Sequence, residues 1–106
     1  MITVRFEKGA YAFLVTGHAG AGPEGHDLVC AAASTLAQTL AEYVQRMKDA
    51  GLMLTSDLTI TKGRLSLNAI PKDGMAQMMI RVSFDTIISG FELLAAKYPN
   101  NITLIK

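Results

Sequence analysis

Both histidines of the chain and its only cysteine fall within the thirteen consecutive positions from His18 to Cys30. A thiol and an imidazole within hydrogen-bond reach make a nucleophile and its base, the pairing used for covalent attack on a carbonyl carbon. The stretch reads Gly17-His18-Ala19-Gly20-Ala21-Gly22-Pro23-Glu24-Gly25-His26-Asp27-Leu28-Val29-Cys30, and its first nine residues hold four glycines and a proline. That composition predicts a loop, and loops carried on a rigid scaffold are where functional groups concentrate.

Asp27 is a good helix N-cap, which would place Cys30 at N3, inside the first helical turn. There the helix dipole and unsatisfied amides favour a thiolate. The Asp27 carboxylate opposes a second negative charge, and a protonated histidine would restore the balance. The plain alternative is an inert thiol packed beside Ala31 and Ala33, because free cysteine is among the most buried residue types. Two bases compete for the pairing. His26 precedes Cys30 by four residues, a helical spacing. His18 lies twelve residues away at a strand end, from which the glycine stretch can fold it over the helix start. Strand anchoring favours His18, but spacing leaves both open.

The same side chains have other uses. His18, His26, Asp27 and Cys30 are a conceivable zinc set, yet their spacing matches no paired structural pattern and the usual second cysteine is absent, so no metal and no cofactor is expected. The glycines lack the terminal G-K-[ST] of a phosphate-binding loop. Ser34, one turn after Cys30, reads as a helix residue bonding back to a carbonyl or packing on the sheet rather than as a nucleophile.

The elements that must hold these groups follow from periodicity. Residues 2–7 alternate, with Ile2, Val4 and Phe6 on one side, which predicts a half-buried strand. Lys8-Gly9 supplies a turn into a partner strand at 11–16. From 27 to 50, Val29, Ala33, Leu36, Leu40, Val44 and Met47 recur at helical spacing; Arg46 and Lys48 suit its C-terminal end and Gly51 its stop. A second hairpin has Leu58 and Ile60 on one strand, a turn at Lys62-Gly63, and Leu65, Leu67 and Ala69 on the other. Asp73 caps a second helix to about residue 98, with a stripe of Ile80, Phe84, Ile87, Phe91, Leu94 and Tyr98. Gly90 weakens that helix by up to about 1 kcal/mol relative to alanine, which a close helix contact would explain. Residues 102–105 are a candidate short final strand. The expectation is a single α+β domain over 1–106: two layers in the order β-β-α-β-β-α, a mainly antiparallel sheet, and both helices on one face.

At 106 residues, with 50% apolar and 18% charged side chains, the chain is neither disordered nor fibrous. Its net charge is +1, with ten basic and nine acidic residues scattered along it. No run of like charge offers a footprint for nucleic acid or an anionic membrane. Apolar runs such as residues 28–33 are far too short to cross a bilayer. The start lacks the pattern of a signal peptide, so the expected compartment is the cytoplasm, where a lone thiol stays reduced.

Gly17-His18-Ala19, followed by Gly25-His26-Asp27-Leu28-Val29-Cys30-Ala31-Ala32-Ala33-Ser34, resembles the ribosomal-processing cysteine proteases, the Prp or YsxB-like family. That family's pattern is a G-H-A turn, a glycine-bearing loop, then G-x-D-[IL]-V-C-A-x-x-S opening a helix; the opening strand, the element order and the closing tail fit as well. The resemblance implies a peptidase with a His18–Cys30 dyad. Gly17, Gly20, Gly22 and Gly25 would lie in a mobile loop closing over substrate, which Pro23 stiffens. Asp27 would orient a histidine or cap the helix, and amides at Cys30 or just beyond would steady the oxyanion. The implied substrate is the N-terminal extension of large-subunit ribosomal protein twenty-seven, removed after an aromatic, apolar segment by a homodimeric enzyme. The rival is a non-catalytic assembly factor of the same fold that binds a ribosomal protein; a small metal-binding regulator is a third reading.

Overall fold

The computed structural model describes residues 1–7, 9–18, 20, 22 and 27–106. Lys8 of the expected first turn, Gly25 of the expected loop and the alternative base His26 lie outside the described residues. The elements are β1 (Ile2–Glu7), β2 (Ala12–Thr16), α1 (Leu28–Asp49), β3 (Met53–Thr61), β4 (Arg64–Pro71), α2 (Gly74–Lys97) and β5 (Ile102–Ile105). This is the α+β order that the patterning predicts, closed by the short final strand.

The strands form one sheet in the order β3-β4-β2-β1-β5. All pairs are antiparallel except β1 with β5, which run parallel from Ile2↔Ile102 to Arg5↔Ile105. Ile2, Val4 and Phe6 share a face with Phe13, Leu65, Leu67, Ala69 and Ile102, and all eight are buried. Their alternates, such as Arg5, Glu7, Arg64 and Asn68, are exposed. Both helices therefore lie on the apolar face. Phe6 stacks on Phe13 with ring centroids 4.5 Å apart, and Phe84 and Phe91 of α2 close on the pair at 5.8 to 6.1 Å. Such ring pairs contribute about 0.5–1.5 kcal/mol each beyond their buried area.

The helix ends follow their local chemistry. The Asp27 side chain accepts from the amides of Val29 and Cys30, and Asp73 accepts from Ala76. At the end of α1, Gly51 takes φ +79. Its amide bonds to Lys48 O and that of Leu52 to Met47 O, both at 2.9 Å, the paired bonds of a Schellman stop. Gly90 sits where the helices meet, and a Cβ there would lie 2.8 Å from Leu36 Cδ2.

Several details depart from the periodicity. β3 begins at Met53, not near 57, because a register shift between Met53 and Thr55 interrupts the alternation. β2 begins at Ala12 because Tyr11 turns with φ +46. On α1, Ala37 and Ala41 are buried while Leu36 is only partly so. Tyr98, placed in the buried stripe, is the exposed C-cap of α2.

Candidate active site

His18 lies two residues past the end of β2, and the backbone around it is tied on two sides. The amide of Gly17 donates to Gly63 O at 2.9 Å. The carbonyl of His18 accepts from the Met1 nitrogen at 2.6 Å. Gly17 has φ +93, and a Cβ there would run into the Met1 carbonyl oxygen. The glycine of the G-H-A turn is therefore required by both conformation and space, and the imidazole that follows is exposed on a fixed stem.

Cys30 lies in the first turn of α1, half-buried and in no disulfide. Asp27 Oδ1 accepts from Val29 N and Cys30 N, each at 3.0 Å. The Asp27 carbonyl takes the Ala31 amide, also at 3.0 Å. The helix-start amides expected to steady an oxyanion are thus engaged by Asp27 in this structure, and capping is the role that the geometry gives its Oδ1.

His18 and Cys30 border the same two cavities. The smaller, of about 160 Å³, runs between α1 and the sheet over Val15, Ile60 and Leu65. The larger, of about 410 Å³, lies under Gly20 and Gly22 and reaches Asp27 and Lys62. Ser34 borders both. Sequence-remote residues are thus brought to one mouth: an imidazole from beyond a strand end, a thiol from a helix start, and a wall from the β3–β4 hairpin.

That wall was not read from the sequence. Lys62, Gly63 and Ile60 belong to a hairpin recognisable from its own alternation, but only the insertion of β4 beside β2 carries its turn to His18. Ile60 faces inward, opposite Leu65, yet remains 55% exposed because it opens onto the cavity. Ser34 also departs from expectation. Thr35, Thr39, Ser83, Thr86 and Ser89 each donate to the carbonyl four residues earlier. Ser34 makes no such back-bond among the described residues, and it borders the cavities instead. Among the described residues no group of three or more His, Cys, Asp or Glu is placed to hold a metal ion. No helix of the described residues is long and apolar enough to cross a membrane.

A family model described as cysteine protease Prp matches residues 1–103. The chain belongs to that family. No curated protein matches it. Among solved structures, the essential ribosomal processing protease Prp from S. aureus, in complex with a covalently linked product peptide, is 23% identical with a TM-score of 0.78. That match covers 99% of this chain and 98% of the other. A second S. aureus Prp structure, in complex with a substrate peptide, is 18% identical with a TM-score of 0.68, over 97% and 94% of the two chains. SMU.848 from Streptococcus mutans is 25% identical with a TM-score of 0.66, over 98% of this chain and 90% of that one. Prp membership and a shared mixed-sheet fold therefore agree over nearly the whole chain.

Proposed function

We propose that the chain is a cysteine endopeptidase with His18 as base and Cys30 as nucleophile. The observation that carries this reading is that both side chains border the same two cavities although they lie twelve positions apart in the sequence. His18 accepts the thiol proton and Cys30 Sγ attacks the scissile carbonyl carbon. As the C–N bond breaks, His18 returns the proton to the leaving amine. Water, deprotonated by His18, then attacks the thioester and releases the new carboxylate, restoring the thiol. With the Val29, Cys30 and Ala31 amides engaged by Asp27, Ser34 Oγ is the donor proposed to steady the oxyanion. An extended peptide would lay an apolar side chain over Val15, Ile60 and Leu65, with Gly20 and Gly22 bordering its other side.

The proposed substrate is the N-terminal extension of large-subunit ribosomal protein twenty-seven, cleaved in the cytoplasm during ribosome maturation. Supporting it are Prp membership, the likeness to the S. aureus ribosomal processing protease, and the apolar side chains of Val15, Ile60 and Leu65 in the smaller cavity. The enzyme is proposed to work as a homodimer, for which the apolar groove of Ala32, Leu36, Gly90 and Leu93 between the helices offers a surface.

The test mixes the purified protein with full-length ribosomal protein twenty-seven from the same organism and follows intact mass. Wild type should remove a short N-terminal peptide. Cys30→Ala and His18→Ala should lower the rate by on the order of 10³-fold or more. Stable binding without cleavage would instead support the assembly-factor role, and cleavage by Cys30→Ala would remove the thiol from the mechanism.

A further inference from the structure

Gly63 occupies the second position of the two-residue turn between β3 and β4, with φ +73, while Lys62 is not among the positive-φ residues. Those φ signs are the ones of a type II turn, which by itself calls for glycine. A second constraint acts at the same atom. A Cβ on Gly63 would lie 3.3 Å from His18 Nε2, 3.7 Å from Cε1 and 4.0 Å from Cδ2, and those ring atoms are its three nearest neighbours. The carbonyl of Gly63 also holds the amide of Gly17. The turn thus grips the backbone just before His18 and lies flush against its ring.

Resting on the reading of His18 as base, we infer that Gly63 is a positioning residue. Its bare Cα is the seat of the imidazole, and a side chain there would displace the ring relative to Cys30. His18 is exposed, so the turn supplies order that burial does not. With the stem fixed at Gly17 and Met1, an intruding methyl is relieved by ring rotation, the movement that alters reach to the thiol. The added Cβ obliges the ring to give by a few tenths of an ångström, a fraction of the roughly 1 Å misplacement that can cost on the order of a hundredfold in rate.

Turn chemistry and ring seating separate through a matched glycine. Gly51 has φ +79 and nothing within 4 Å of an added Cβ. Asparagine tolerates the left-handed region, so Gly63→Asn and Gly51→Asn make the same backbone demand and differ in what the side chain meets. With the ribosomal protein as substrate, Gly63→Asn should lower kcat by about tenfold with little change in KM. Gly51→Asn should match wild type. Gly63→Asp should carry a further signature: a carboxylate beside Nε2 favours the protonated ring, moving the acid limb of the kcat/KM profile to higher pH than in Gly63→Asn. Lys62, Arg64 and Asp27, the other charged residues bordering these cavities among the described residues, and the Met1 ammonium bonded to the His18 carbonyl are unchanged between those two variants. Equal kcat and pH profiles for Gly63→Asn and Gly51→Asn would overturn the inference. One measurement needs no variant: wild type should show a nuclear Overhauser contact between the Gly63 Hα protons and the His18 ring, and its absence would also overturn the seat. Failure of wild type to cleave sinks the protease reading, whereas the ring contact is read independently of turnover.

Discussion

Phe6 and Phe13 stack at 4.5 Å on the inward face of β1 and β2, whereas a few residues along the same strands Ile2 and Val15 border an open cavity of about 160 Å³. The strands and the face are the same, and what differs is the volume supplied across from them. At the aromatic end α2 brings Phe84 and Phe91 onto the pair. At the open end α1 offers Cys30, Ala33, Ser34 and Ala37, and the hairpin turn offers Gly63. One end carries the stability and the other withholds side-chain volume so that a thiol and an imidazole are reachable from solvent.

If that division holds, the two ends should fail separately. Phe91→Ala should cost about 3–5 kcal/mol of stability, as truncation of a buried aromatic does. Urea denaturation measures it, and cleavage per folded molecule should stay near wild type. Parallel loss of catalysis by the folded fraction would mean that the ends are coupled. Ser34→Ala sharpens the comparison from the other side. It should lower kcat by about tenfold or more while stability stays within about 0.5 kcal/mol. An unchanged rate would return Ser34 to the helix surface. The smallest effect belongs to the residue between helix and site. Asp27→Ala should lose about 1 kcal/mol of cap stability, whereas Asp27→Asn, an equally good cap, should keep both stability and turnover. A slow but stable Asp27→Asn would show that the carboxylate also acts on a histidine.

What the sequence made legible was local. Asp27 and Asp73 as caps, Gly51 as a stop and Lys62-Gly63 as a turn each depend on neighbours within a few positions, and the structure uses all of them in those roles. Alternation in residues 2–7 and 64–69 reported the buried face correctly because a strand's period survives wherever only one side is covered. β3 escaped where a register shift broke that period. The parallel pairing of β5 with β1 and the placement of β4 against β2 leave no local mark, since any amphipathic strand satisfies either neighbour. The site divided in the same way. Its two proposed reactive residues stood out through their types and crowding, while Ile60, Ser34 and Gly63 looked like an ordinary strand residue, helix residue and turn. Their part depends on which strands lie side by side.

That dependence orders events during synthesis. His18 and Cys30 are both in place once residue 30 has been made, and a nascent chain of fifty residues carries both together with the first helix. The Gly63 carbonyl that holds the stem of His18, and the strand that floors the smaller cavity, belong to the second half of the chain. β2 pairs with β4, not with any segment between them, so the proposed reactive pair waits on a long-range closure. A truncated or unfinished molecule would carry the thiol and the imidazole without the wall that orients them. On the proposed reading, competence for proteolysis is reserved for chains that have emerged far enough to complete the sheet.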